Sequence, residues 1–222
     1  MHHTVPHSIL IGGVNLGNAF RFGQEAVILF FLVSGFVIAY SYAQSSDQSF
    51  RGFFLRRFSR IYFPLFVVMF LGWSMECYRV AQLATVRPKE LLLNLLMLQD
   101  VSALKPNTIV DPYMHNTPLW SLSYEWWFYM LFFPLTLFVQ RRRAGDLVVF
   151  VGTVAATIAY ALSPNFVSRE LAYLSIWWTG VYLARKKVAN GTIVPADALL
   201  PGCTLFVICS ILTIPVVVSG SA

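Results

Sequence analysis

TPLWSLSYEWWFYMLFFP, Thr117 to Pro134, decides the fold class. The run is apolar enough to enter a membrane, yet it carries a carboxylate, Glu125, about two helical turns in. An ionisable group at that depth is costly and is read as functional by default, because it needs a partner, a water-filled cavity or a proton. Hydroxyls (Ser121, Ser123) and aromatic rings (Trp120, Tyr124, Trp126, Trp127, Phe128, Tyr129) surround it. On a helix, Ser121, Glu125 and Phe128 share one face by their three- and four-residue spacing. That face is expected to point into a helix bundle. The plainer alternative is a glutamate hydrogen-bonded to a neighbour for structure alone.

Working outward, the 222 residues are 57% hydrophobic and 12% charged, with a mean hydropathy of +0.65. Soluble domains carry about a quarter charged residues, so the composition predicts an all-α, polytopic transmembrane helix bundle forming a single membrane-embedded domain over residues 1–222. The net charge of +6 does not imply nucleic acid as a partner. The basic residues sit in short clusters between apolar runs, as positive-inside loops do. Cys77, Cys203 and Cys209 show neither pairing nor metal spacing and read as small core residues. Met1-His2-His3 lacks the basic and apolar regions of a signal peptide.

Six spans are expected: Ala26–Ala43, Ile61–Met75 with an extension to Tyr78, Leu119–Val139, Leu147–Ser163, Leu171–Ala184 and Leu199–Ser219. Leu91–Leu98 is too short to cross and reads as re-entrant or interfacial. With the clusters around Arg56, Arg142 and Lys186 in the cytoplasm, all spans alternate without conflict. The segment Arg79–Pro118 and the tail with His2, His3 and His7 then lie outside, and Glu125 and His115 lie toward that outer face.

Two further constellations carry candidate chemistry. FLRRFSRIYFPLF, Phe54–Phe66, places Arg56 and Arg60 four apart and Arg57 and Arg60 three apart. On a helix they make a guanidinium patch at the membrane boundary, and guanidinium forks suit phosphate oxygens. By residue type alone, membrane anchoring is the commoner role. ILFFLVSGFVIAY, Ile28–Tyr40, holds Ser34-Gly35, which permits close helix approach or access of a ligand to backbone. The histidines matter because proton transfer near neutral pH usually recruits one.

In this order, LFFLVSGF (Leu29–Phe36), RRFSRIYFP (Arg56–Pro64) and LWSLSYEWWFYMLFFP (Leu119–Pro134) resemble the signature blocks of the acyltransferase 3 family of integral membrane acyltransferases. The third match is long and specific; the other two are short but correctly ordered. The resemblance implies a membrane-bound O-acyltransferase in the plasma (inner) membrane. Such a protein moves an acyl group, commonly acetyl, from cytosolic acyl-CoA to a hydroxyl of an extracytoplasmic or lipid-linked carbohydrate, such as a surface polysaccharide or lipopolysaccharide. It implies no metal. The family's essential histidine closes the helix before the SGF block, a position that His2 or His3 fits best and His7 less well. Glu125 would orient that histidine. Arg57 and Arg60, assisted by Arg56, would hold the phosphates of CoA, and Ser34 and Ser121 would line the path of its pantetheine arm. Against the family pattern the chain reads as partial, without the start of the first helix and the C-terminal spans. A glycan or small-anion transporter would use the same buried glutamate and basic mouth, and a non-catalytic remnant would share the same blocks. The acceptor is not legible in the sequence.

Overall fold

The computed structural model describes residues 10–11, 14–15, 23–83 and 85–219. A two-residue antiparallel pairing of Leu10–Ile11 (β1) with Val14–Asn15 (β2) precedes the bundle. The helices are α1 (Gly23–Ala43), α2 (Phe50–Val80), α3 (Pro88–Leu95), α4 (Trp120–Gln140), α5 (Gly145–Leu162), α6 (Phe166–Asn190) and α7 (Leu199–Ser219). The all-helical membrane bundle expected from composition is the architecture found.

Two helices are longer than the apolar runs that announced them. The second was expected to begin at Ile61, with the arginines as a basic entry to it. Instead the helix starts at Phe50, where the Ser49 side chain caps it by accepting from the Gly52 N–H at 3.1 Å. Arginine is a good helix former, so Arg51–Arg60 extends the helix by nearly three turns. Similarly α6 begins at Phe166 under an Asn165 cap and runs to Asn190, ending on Gly191 at φ +74. It therefore carries Arg169 and Glu170 at one end and Arg185–Lys187 at the other. Leu91–Leu98 corresponds to α3, which starts earlier, with Pro88 in the first helical turn. At eight residues it rises only about 12 Å and cannot cross.

Among the described residues four helical segments are long and apolar enough to cross a membrane: Glu25–Ala43, Phe50–Val80, Gly145–Leu162 and Pro195–Thr213. The other two expected spans, α4 and α6, fall short of that measure for a physical reason. They are the inner helices, rich in Trp and Tyr, and their polar groups face protein: Ser123, Tyr124, Tyr129 and Thr136 on α4, and Arg169, Glu170, Ser175 and Thr179 on α6, are all buried. Polar groups in such a bundle belong on inner faces.

Helices α1 and α6 pack in closest contact. A Cβ on Gly35 would strike the Trp177 carbonyl, and one on Gly180 would strike the Leu32 carbonyl and the Phe36 amide. The backbones touch because both positions are bare, as in small-residue packing of membrane helices. Gly35→Leu therefore forces the pair apart and is expected to cost about 3 kcal/mol, read as a lower melting temperature of the detergent-solubilised chain. An unchanged melting temperature contradicts this packing.

Aromatic contacts join the rest. Phe31 lies against Tyr124 and Phe128, Phe53 stacks on Phe132, and Phe128 meets Trp177. Phe50 meets Phe133, Tyr42 meets Phe132, and Arg185 grips Asp146 at 2.8 and 2.9 Å. These contacts gather the N-terminus of α2 and the C-termini of α4 and α6, with their basic residues, at one end of the bundle.

Candidate functional site

The site forms where α1, α2, α4 and α6 converge. Gly35 brings α1 onto α6, and this places the neighbouring Ser34 against the α6 indole: Trp177 Nε1 donates to Ser34 Oγ at 3.4 Å. Ser34 Oγ in turn donates to Glu125 Oε1 at 3.3 Å. Tyr129, one turn further along α4, donates to the same oxygen. Hydroxyl and phenol thus converge on one carboxylate oxygen, with the indole supporting the hydroxyl. Glu125 is half-buried, and its side chain accepts from donors on two helices.

Arginine supplies positive charge at the same point. The Arg57 guanidinium lies over the Tyr129 ring at 5.5 Å and over Phe53 at 5.6 Å. Both are within the range of a cation–π contact. Arg57 and Arg60 are both within electrostatic reach of Glu125. Arg57 Nε is buried and meets no hydrogen-bond acceptor among the described residues. A buried donor of this kind costs free energy unless an acceptor arrives, and a phosphate or thioester oxygen has the right chemistry.

The structure brings together Ser34, Arg57 and Glu125, with Arg60 nearby. Glu125 and the arginine patch, expected toward opposite membrane faces, meet instead, because Arg57 reaches inward along Tyr129. Two other predicted residues are engaged elsewhere. Arg56 pairs with Asp47, through a 3.4 Å ion pair and a 2.9 Å bond to its carbonyl. The Ser121 hydroxyl donates to the Pro118 carbonyl at 3.2 Å, in the turn that precedes its own helix. His2, His3 and His7 lie outside the described residues. Sequence reasoning missed Tyr129 and Trp177; the i, i+4 spacing of Glu125 and Tyr129 was the signal for the first.

A second polar cluster fixes how α4 sits. Asp100 is fully buried. It receives hydrogen bonds from Lys105 Nζ at 2.9 Å and the Tyr124 hydroxyl at 2.6 Å, and forms an ion pair with Arg169, whose Nε lies 2.9 Å away. Lys105 also lies 3.7 Å from the Trp120 ring centroid. Burial pushes the Lys105 ammonium below its ordinary pKa, against the opposing pull of Asp100. Arg169 donates to the Pro106 carbonyl at 2.8 Å, and Ser123 to Glu170 at 3.4 Å. Gln99 Nε2 reaches the Leu119 carbonyl at 3.1 Å, and Trp127 Nε1 the Met97 carbonyl at 2.8 Å. The segment after α3 therefore clamps the first turns of α4. The clamp sets the rotation that aims Glu125 at Ser34.

Fold and site define a helical membrane protein with a hydrogen-bonded glutamate and an unsatisfied arginine at its centre. The chain belongs to the acyltransferase domain family, whose sequence profile matches residues 1–220. It is 40% identical over 123 residues to the acyltransferase MdmB of Streptomyces mycarofaciens, a match covering 54% of this chain and 30% of that protein. It is 30% identical over 157 residues to nodulation protein 10 of Rhizobium leguminosarum bv. viciae, covering 65% of this chain and 41% of that protein. The matches thus cover less than half of either curated relative's length. No solved structure matches it.

Proposed function

We propose that the chain carries the donor-handling core of a membrane-bound O-acyltransferase. This reading takes the acyl group, acetyl in the family's common form, from cytosolic acyl-CoA to a hydroxyl of an extracytoplasmic or lipid-linked carbohydrate at the plasma membrane. The observation that carries it is the meeting of Glu125, held by Ser34 and Tyr129, with the unsatisfied Arg57 donor.

The chemistry asks little of the protein. A thioester is already activated, so the acceptor hydroxyl needs a base and a position. The hydroxyl oxygen bonds to the thioester carbonyl carbon, its proton passes to the base, the C–S bond breaks, and CoA leaves as thiolate and takes up a proton. A histidine base contributes roughly a hundredfold to ten-thousandfold, and His2 or His3 is the candidate. Glu125 would hold the imidazole's orientation and balance its positive form, as the acid does in hydrolase triads. Arg57 and Arg60 would bind phosphate or carbonyl oxygens of the donor.

Binding of labelled acetyl-CoA to the chain in nanodiscs tests this reading. A hydrogen bond to a charged group is worth about 1.5–3 kcal/mol, so Arg57→Ala is expected to weaken binding roughly ten- to a hundredfold. Arg57→Lys should not restore it, since an ammonium lacks both the fork and the planar face that packs on Tyr129. Wild-type affinity in Arg57→Ala sinks the donor role. A glycan or small-anion transporter, built on the same glutamate and basic mouth, would move its cargo and leave acyl-CoA intact.

A further inference from the structure

In the described helices, serine and threonine hydroxyls repeatedly turn back on their own helix. Ser74 donates to the Phe70 carbonyl at 2.8 Å, Thr157 to Thr153 at 2.9 Å, Thr179 to Ser175 at 2.8 Å and Ser210 to Phe206 at 2.9 Å. The carbonyl four residues back is within reach of such a hydroxyl, and lipid offers it no competing partner. Ser34, midway along α1, does otherwise. Its hydroxyl crosses to α4 and donates to Glu125 Oε1 at 3.3 Å. A hydroxyl that forgoes its own helix is held away from it by another group.

That group is Trp177 on α6. It is fully buried, and its indole carries a donor and no acceptor. Nε1 donates to Ser34 Oγ at 3.4 Å. The contact of Gly35 with the Trp177 carbonyl places the two side chains beside each other. Phe128 and Phe132 of α4 hold the ring, their centroids 5.7 and 6.0 Å away. Turning Ser34 back on α1 requires another staggered rotamer, which carries Oγ away from the indole. The buried N–H would then be left without its partner, at a cost in free energy. The Ser34 oxygen therefore accepts from Trp177, and its single proton goes to Glu125.

Ser34 and Tyr129 both donate to Oε1 of Glu125. Donors from α1 and α4 thus hold the carboxylate by one oxygen and leave Oε2 for the base of the proposed reaction. Without the indole N–H, Ser34 is free to take a carbonyl of its own helix, and Glu125 keeps Tyr129 alone. The ring contacts with Phe128 and Phe132 do not involve the N–H, so its role is separable from packing.

We infer that Trp177 is a positioning residue for acyl transfer: its indole N–H turns the Ser34 hydroxyl away from α1 and onto Glu125. The inference rests on the acyltransferase reading for the transfer, but not for the hydrogen-bond chain. The test uses the intact chain in nanodiscs with labelled acetyl-CoA and a neutral oligosaccharide. Trp177→Phe removes the N–H. Benzothienylalanine at the same position replaces the N–H by sulfur and keeps the shape of the ring, which guards against a variant that fails to fold. Both are expected to lower kcat roughly tenfold, the scale of one hydrogen bond, with KM for acetyl-CoA within a few-fold of wild type. Trp177→Phe added to Ser34→Ala should cost nothing further, because the indole acts only through the hydroxyl. A second readout needs no turnover. The infrared carboxylate band of Glu125, identified as the one lost in Glu125→Gln, should move in both Trp177 variants as it does in Ser34→Ala. Full kcat in the folded benzothienylalanine protein, independent losses in the double variant, or a band that moves in Ser34→Ala alone overturns the inference. A band that moves in all three variants of a chain that never turns over acetyl-CoA leaves the positioning role of the indole standing and removes the acyltransferase reading. Turnover that ignores both Trp177 variants does the reverse.

Discussion

Glu125→Gln removes acyl transfer while leaving the chain folded and able to bind its donor. The amide has the shape of the carboxylate, and its oxygen still accepts from Ser34 and Tyr129, so the convergence of α1 and α4 survives. What disappears is the negative charge that would balance an imidazolium as the acceptor's proton leaves. The expected loss is on the order of a hundredfold to ten-thousandfold in kcat, with KM for acetyl-CoA within a few-fold of wild type. Glu125 is a positioning residue in this account, so the split between the two constants is the informative readout. A purely structural glutamate would lower the amount of folded protein and leave the kcat of the remainder intact. Full kcat in Glu125→Gln rules out the role proposed for it.

The largest effect on stability is expected at Asp100. It is fully buried, hydrogen-bonded by Lys105 and Tyr124 and ion-paired with Arg169. Asp100→Ala leaves Lys105 and Arg169 without the carboxylate that pairs with both. Breaking a buried ion pair by removing one partner costs about 3–5 kcal/mol, because the charge left behind stays uncompensated. Thermal unfolding of the purified chain in detergent checks this. Adding Lys105→Met to Asp100→Ala should recover part of the loss, because one unbalanced cation goes with it. A loss under about 1 kcal/mol, the scale of an exposed pair, would show that the cluster does not clamp α4.

Much of this architecture is legible in the chain, and the parts that are not have physical reasons. Apolar runs announce the long helices because lipid contact demands them, but they misplace helix ends where good helix formers are charged. Arg51–Arg60 reads as a basic entry ahead of the span and is continuous with its helix. Arg169 and Glu170 look like a boundary and are buried inside the bundle. The Trp and Tyr content of Leu119–Val139 reads as a span, yet it marks an inner helix whose rings pack on protein. Glu125, Ser34 and Arg57 stand out because each is anomalous within its own apolar run. Their meeting is foreshadowed only by Gly35, whose bare face lets α1 reach α6. Asp100 and Arg169 are 69 positions apart and carry no local sign of their pairing. Ser121 follows the helical spacing toward Glu125 but has a nearer acceptor in the Pro118 carbonyl. Periodicity places a hydroxyl on a face without saying which acceptor takes it.

The central claim is that this protein breaks a thioester rather than moving an intact solute. The most direct measurement supplies membranes containing the chain with acetyl-CoA labelled in the acetyl group, together with a neutral oligosaccharide on the opposite face. Free CoA and the position of the label are then followed in time. The account predicts release of CoA with label appearing as an ester on the oligosaccharide, and loss of both in Glu125→Gln. Acetyl-CoA that stays intact while the oligosaccharide, or an anion, crosses the membrane in a Glu125-dependent way would contradict it.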